Sequence, residues 1–455
     1  MSDGIDRRDL LKIGAAGLGL AAVGSVIGCG DDGPHRPDSP RLSAAPDRFM
    51  RAPPMDVVRM GFVGVGLQGG AHVQNFLRID GVEIKAVCDI DVPRLEEVAD
   101  WIQAAGQPRP TTYGRGPTDF IRLCETEDLD LVLTATPWEW HVPVCVAAME
   151  NDKHAATEVP AAYTIDDCWR LVEWAERYDK HCVMLENVNY GFAELLVLNM
   201  VRQGLFGEIV HGEGGYLHDL RAIKFEDAHE GLWRRAHSMK RNGNLYPTHG
   251  LGPIANCMNI NRGDRFDYLV SMSGPSRGLQ QWAEEHYPTE SPKRREQFVL
   301  GDVNVSLLKT VNGRTIYVSH DTNLPRPYSR IHLVQGTRGL FQGYPNRIHI
   351  EGRSPEHEWE PMEDYVPEFE HPLWRHLQEE SEGARHGGMD FVEDWRLIQC
   401  LREGTPTDMN VYDAASLSAV TPLSEWSVAH GSRPTEFPDF TRGKWQVYPE
   451  LGIVG

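Results

Sequence analysis

A β-rich run, Val57 to Val63, leads straight into Gly64-Val65-Gly66-Leu67-Gln68-Gly69 and then a helical stretch, Ala71 to Ile79; no other feature constrains the fold as strongly. Glycines at those spacings permit a tight turn, close backbone approach to a pyrophosphate and close packing of helix on strand, with the helix amino terminus facing the anion. Alone, such a pattern is weak evidence. Here a second strand, Val82 to Cys88, ends at Asp89, twenty residues past Gly69. A carboxylate there accepts hydrogen bonds from ribose hydroxyls and repels a 2′-phosphate, so the sequence predicts NAD rather than NADP.

The alternation continues through a helix over 92–105, a further helix, a strand over 129–135, a helix over 141–150, a strand over 154–157, a helix over 165–178 and a strand over 181–184. Strand and helix in turn predict right-handed crossovers and a parallel sheet covered on both faces. Ligands collect at the carboxyl ends of such strands. Those ends carry Trp138-Glu139-Trp140-His141, Glu158-Val159-Pro160 and Glu186-Asn187, the expected nicotinamide side of the cleft. From 188 a helical stretch over 192–203 precedes alternating runs at 209–217, 268–272, 303–310, 315–320 and 331–334. These predict a largely antiparallel open sheet, one face covering helices and the other free to pair with a second copy. A helix over 391–401 is expected to return to the first half. The fold class is therefore α/β: a Rossmann domain over 56–187 and an α+β domain over 188–455.

The chain has 455 residues and a formal charge of 45 − 66 = −21. Such an acid excess gives no footprint for a polyphosphate backbone, which excludes nucleic acid as the expected partner. Eight cysteines show no C-x-x-C pair, so neither a disulfide framework nor a metal site is expected. Residues 1–29 resemble an export signal: Arg7-Arg8 followed by Leu10-Leu11-Lys12 fits the twin-arginine type, and Val26-Ile27-Gly28-Cys29 resembles a lipobox that would make Cys29 a lipid anchor. A tether rich in Pro, Asp, Ser and Arg follows over 30–55. The expected location is periplasmic or membrane-anchored. An exported enzyme of this kind would have to load its nucleotide before leaving the cytoplasm and then keep it.

This layout resembles the oxidoreductases that include glucose-fructose oxidoreductase and inositol dehydrogenase. Those enzymes carry Glu-Lys-Pro after the fifth strand, whereas this chain has Glu158-Val159-Pro160 and lacks the lysine. One branch does carry valine there. The stretches Thr157 to Ala162, Glu186 to Tyr190, His211 to Asp219, Asn242 to Pro253, His386 to Phe391 and Phe437 to Gly443 are similar to glycoside hydrolase family 109. The resemblance implies an NAD-dependent glycosidase, the best-known members acting on α-linked N-acetylgalactosamine. It places the cofactor on the glycine loop (Gly64, Gly66, Leu67, Gln68, Gly69), Asp89, Trp138, Glu139, Trp140, His141, Glu158, Val159 and Asn187. It places the sugar on Tyr216, Arg234, Tyr246, Pro247, Thr248, His249 and Tyr328, although Arg235 competes with Arg234.

The chemistry implied by the resemblance is a temporary oxidation: hydride leaves C3 of the sugar, a base removes the acidified C2 hydrogen, the C1 substituent is eliminated, water adds, and the hydride returns. No pair of carboxylates flanking the bond is then required. Histidine suits the proton work because its ordinary pKa lies near neutrality. Tyr246 and His249 stand three apart in Tyr-Pro-Thr-His, which reads as a helix start with Pro247 in the first position, so both could face one cleft. His218, with Asp219 beside it, is a second candidate. A sugar oxidoreductase without hydrolysis and a sugar-binding protein that retains NAD are the competing readings.

Overall fold

Six strands build the first sheet of the structure, a computed structural model that describes residues 52–453; the expected signal, Cys29 and nearly all of the expected tether lie outside those residues. The strands are β1 (Val58–Val63), β2 (Val82–Cys88), β3 (Thr111–Tyr113), β4 (Leu131–Thr134), β5 (His154–Thr157) and β6 (Cys182–Met184), all parallel, in the order β3-β2-β1-β4-β5-β6. Every residue of β4, β5 and β6 is buried, as strands covered on both faces must be. The order reverses between β1 and β4, and that switch point opens a crevice at the strands' carboxyl ends.

The helix after β1 spans Leu67–Phe76, beginning four residues before the sequence pattern suggests. Its first turn contains Gly69 and Gly70, which weaken the helical pattern, but packing decides the boundary. A Cβ on Gly69 would lie 1.9 Å from the Gly64 carbonyl oxygen, and Gly64 itself adopts φ +81°. Only glycine at both positions lets the helix close onto the strand end. The helix over Trp138–Glu150 likewise starts earlier than predicted, so Trp138 to His141 form its first turn rather than a loop.

The second sheet has nine strands in the order β14-β13-β12-β11-β7-β10-β9-β8-β15. They are β7 (Ile209–Leu217), β8 (Phe266–Ser273), β9 (Asn304–Thr310), β10 (Thr315–Asp321), β11 (Leu333–Gly336), β12 (Gly339–Gln342), β13 (Arg347–Ile350), β14 (Glu360–Pro361) and β15 (Thr435–Glu436). All pairs are antiparallel except β7 with β10. The strand expected at 331 starts two residues later, because Ile331 and His332 adopt φ 64° and 48°. Helices Thr248–Cys257 and Val411–Ala429 cover one face, against β7 and β8. Val210, Tyr268, Met272 and Leu307 are exposed on the sheet.

The helix Met389–Glu403 packs on Leu67–Phe76, and Val411–Ala429 packs on Ile165–Tyr178. Two C-terminal helices therefore complete the nucleotide-binding half. Most buried hydrophobic residues of both halves form one continuous core that includes Phe62, Phe76, Ile316, Leu401 and Val411, while Phe225, Leu279 and Ala283 form a small separate cluster.

Candidate active site

The crevice at the switch point begins with the glycine loop. Gly66 precedes the helix Leu67–Phe76 with no side-chain cap, and its Cβ position has nothing within 4 Å. Open space beside uncapped amides is what an incoming pyrophosphate requires. At the end of β2, Asp89 accepts hydrogen bonds from the Val65 amide at 2.7 Å and the Asp91 amide at 2.9 Å, which aims the carboxylate along the loop.

Acidic residues of the returning helix tie this loop to the far strand ends. Asp390 accepts from Gln68 at 3.2 Å and from Asn187 at 2.6 Å, and bonds the His386 ring at 2.8 Å. Burial alone would raise the Asp390 pKa, but the His386 contact outweighs it and holds the group below the usual carboxylate range. The buried His72 ring donates to Asp394 at 2.9 Å and to Glu158 at 2.8 Å. Burial favours the neutral ring, yet the two carboxylates together raise His72 well above an ordinary histidine. Glu158 is likewise held low, burial being outweighed by His72, while burial pushes Asp394 up to about 6. The cluster is therefore ionised at neutral pH, with one cation between two anions. The Asn187 side-chain oxygen is buried without a hydrogen-bond partner among the described residues, which leaves it able to accept from a bound ligand.

The four residues of the Trp138 turn have different surroundings. Trp138 is 5% exposed and lies edge-on to Trp233, with Tyr246 stacked 5.8 Å away. Glu139 pairs with His237, whose hydrogen bond lowers its pKa against the effect of burial. Trp140 packs on Phe120, and His141 is fully buried with its ring nitrogens 2.8 Å from the Pro160 and Thr136 carbonyls. Trp140 and His141 thus serve packing and loop shape in this structure. Val159 is buried, and its amide bonds the Glu158 carboxylate at 3.1 Å.

Across the crevice, β7 and the helix Thr248–Cys257 bring the expected sugar residues together. A Cβ on Gly250 would sit 2.1 Å from the Gly215 amide nitrogen, so strand and helix backbones touch here and their neighbours Tyr216 and His249 face each other. Their ring centroids are 5.5 Å apart; Tyr246 lies 4.6 Å from Tyr216 and 4.9 Å from His249. Pro247 occupies the cap position, one residue before the first helical position that the sequence suggested, and Thr248 opens the helix with a buried, unpartnered hydroxyl. Tyr328 lies edge-on to Tyr216 and His218. Burial raises the phenols of Tyr216 and Tyr246, so both are neutral donors.

The Arg234 guanidinium lies over Trp138, Trp233 and Tyr246 at 5.4, 4.7 and 5.2 Å and bonds Glu230 at 2.8 Å. Arg235 turns instead to Glu296, Asp227 and the Lys224 carbonyl. Of the two arginines, Arg234 is the one that lies against the rings of Trp138 and Tyr246. His218 bonds the Tyr216 hydroxyl at 3.0 Å, and burial lowers its pKa. The Asp219 carboxylate accepts from Arg221 at 2.8 and 2.9 Å and reaches His218 through its charge rather than through a hydrogen bond. His249 bonds Glu186 at 2.6 Å.

Residues 190–447 match the family model for the glycosyl hydrolase 109 C-terminal domain. The chain belongs to glycosyl hydrolase family 109. Its residues 58–186 match the oxidoreductase family NAD-binding Rossmann fold. A family 109 protein of Shewanella pealeana is 47% identical over 458 residues, and one of Shewanella baltica 48% identical over 460, each alignment covering 99% of both chains. Solved structures with the same fold include a levoglucosan dehydrogenase in complex with NADH and L-sorbose, at TM-score 0.64 and 18% identity over 84% of this chain and 100% of that one. A myo-inositol 2-dehydrogenase from Lactobacillus plantarum gives TM-score 0.59 and 14% identity over the same shares. The cofactor of this family 109 chain is NAD, and the uncapped helix end, Asp89 and the unpartnered Asn187 oxygen fit it.

Sequence reasoning missed His72, Asp394 and the pairing role of Glu186. Asp394 lies 322 residues from His72, and no local spacing connects them. Among the described residues no group of His, Cys, Asp and Glu is placed to hold a metal ion.

Proposed function

We propose that this family 109 chain is an NAD-dependent glycosidase of N-acetylhexosaminides, with α-linked N-acetylgalactosaminides as its foremost substrates. The observation that carries the reading is the cluster of Tyr216, His218, Tyr246, His249 and Tyr328, with the Arg234 guanidinium over Tyr246 and the carboxylates of Glu158 and Glu186 near the same phenol. When bound, NAD supplies a reversible two-electron acceptor for the C3 hydrogen of the sugar. Every other task falls to side chains.

The Nε2 of His249 has no partner among the described residues and is the group we assign to take the C2 proton. With C3 oxidised, that proton leaves as the C1–O bond breaks and a C1–C2 double bond forms. Water then adds at C1 and the proton returns to C2. Tyr246 and Tyr216, neutral phenols, donate to the sugar oxygen that gains negative charge, and Arg234 adds a fixed cation over the same rings. The carboxylates near Tyr246, Glu158 and Glu186, are each engaged by a histidine, which argues against an ordinary two-carboxylate glycosidase.

The test is to incubate purified protein, without added cofactor, with an aryl α-N-acetylgalactosaminide in deuterated water. Aryl alcohol release with deuterium at C2 is expected. Lasting NADH absorbance without release would instead establish an oxidoreductase, and silence in both a binding protein. The same proposal holds that the chain is exported through its twin-arginine-like signal to the periplasm, with Cys29 as lipid anchor. It also holds that the second sheet pairs with a copy through the face bearing Met272 and Leu307. Globomycin-sensitive processing and light scattering test these two points.

A further inference from the structure

We infer that Glu186 is the positioning residue for His249, fixing the ring in the tautomer that carries its proton on Nδ1 and presents a bare Nε2 to the sugar. The inference deepens the reading of His249 as the proton-transfer group and rests on it. Glu186 follows β6 and caps the short turn Asn187–Tyr190, its Oε1 accepting from the Val188 amide at 3.2 Å and from His249 Nδ1 at 2.6 Å. Its side chain is fully buried. A carboxylate anchored in this way has little freedom to follow a moving ring, so the ring must follow it.

The helix that carries His249 is pressed against the same turn. A Cβ on Gly252 would meet the Asn189 side-chain oxygen at 2.7 Å and the Glu186 Cγ at 3.0 Å, so the helix backbone is packed directly against the side chains of the turn. His249 and Glu186 are thus held from both sides, one by β7 through Gly250 and the other by the cap. A carboxylate at Nδ1 accepts and never donates, which excludes the tautomer with the proton on Nε2 alone. A base is useful only with its acceptor lone pair facing the proton it removes, and a buried carboxylate behind a histidine supplies that orientation. Glu186 touches neither sugar nor cofactor in this scheme. It acts through His249.

The second carboxylate oxygen of Glu186, buried and without a partner, marks the site as one built for charge rather than for packing. An apolar residue would have filled the space with no unsatisfied atom.

The experiment pairs Glu186→Gln with the parent enzyme and reads two quantities. The first is the His249 tautomer, from nitrogen-15 shifts in histidine-labelled protein at pH 8, with His249→Gln for assignment. The second is steady-state turnover of the aryl glycoside, alongside NAD content. The parent is expected to show a protonated Nδ1 and a bare Nε2. Glutamine can donate as well as accept, so the variant is expected to populate the opposite tautomer. With it, kcat is expected to fall by about 10²-fold or more while KM stays within about twofold and NAD content is unchanged.

A parent ring protonated on Nε2 overturns the inference, even if the variant fails to fold. So does a variant that keeps both the tautomer and kcat within about threefold. A parent that shows the expected tautomer and its switch, but releases no aryl alcohol, supports the positioning contact while removing the glycosidase reading. The two failures are thereby distinguishable.

Discussion

Replacing Gly250 by alanine sets two physical arguments against each other. Gly250 sits inside the helix Thr248–Cys257, where alanine is intrinsically better than glycine by about 1 kcal/mol. From the sequence of the helix alone, the substitution stabilises. The new methyl carbon, however, would lie 2.1 Å from the Gly215 nitrogen, 2.7 Å from its Cα and 2.8 Å from the Gly214 carbonyl carbon. Non-bonded carbon atoms settle near 3.5–4.0 Å, so strand and helix must separate by roughly 1 Å. Backbone on both sides leaves no side chain to rotate away. Overpacking of this kind costs about 1–3 kcal/mol, and with no flexible neighbour the upper end applies, for a net loss of about 2 kcal/mol. The displaced residues flank Tyr216 and His249, and a shift of about 1 Å between reacting groups costs about 10²-fold in rate. Thermal melting and aryl glycoside turnover, measured with NAD content, check both magnitudes. A Gly250→Ala protein that melts at or above the parent temperature and keeps kcat within about twofold would refute the close-approach argument.

Burial lowers His154 and His320 to about 3 and His181, His332 and His371 to about 4, so these rings are neutral in the folded chain while the unfolded chain protonates them near 6.5. Between those values the unfolded state binds more protons, and stability falls as pH falls, by up to about 2 kcal/mol per ring at pH 5. Urea midpoints at pH 7 and pH 5 are expected to show that loss, with a shallower slope in His320→Asn; equal midpoints would contradict it. Arg234→Met, which removes the cation over three rings, is expected to raise KM by about 10-fold or more, whereas Arg235→Ala, on the other side of its helix, leaves KM within about twofold. Equal effects of the two substitutions would reverse their assignment.

The first half of the fold was legible because its strands are buried on both faces and its helices on one, two patterns that a sequence displays openly. The three-residue β3, Thr-Thr-Tyr, is too short to show a period. The helix Val411–Ala429 escaped notice for the opposite reason. It is nineteen residues long but buried on nearly every side and contains Pro422, so it has no polar face to reveal a helical repeat. In the site, Tyr246 and His249 were readable from their spacing at the start of a helix, although Tyr246 stands before the cap of Thr248–Cys257 and only His249 is on the helix. Glu186 was visible only as the end of a strand, since its bond to His249 crosses 63 residues. The bond from Arg221 to the Asp219 carboxylate, two residues away, is equally invisible in the run that ends His218-Asp219.

Asp390 and Asp394, which hold Gln68, His72 and Asn187 in place, are synthesised 322 residues after Gln68 and His72 respectively. A ribosome has already translated the Rossmann segment long before it reaches them. Until they emerge, the nascent nucleotide pocket lacks its rear wall, and the buried imidazole has one carboxylate instead of two. Fragments ending before Met389 would be made without those contacts.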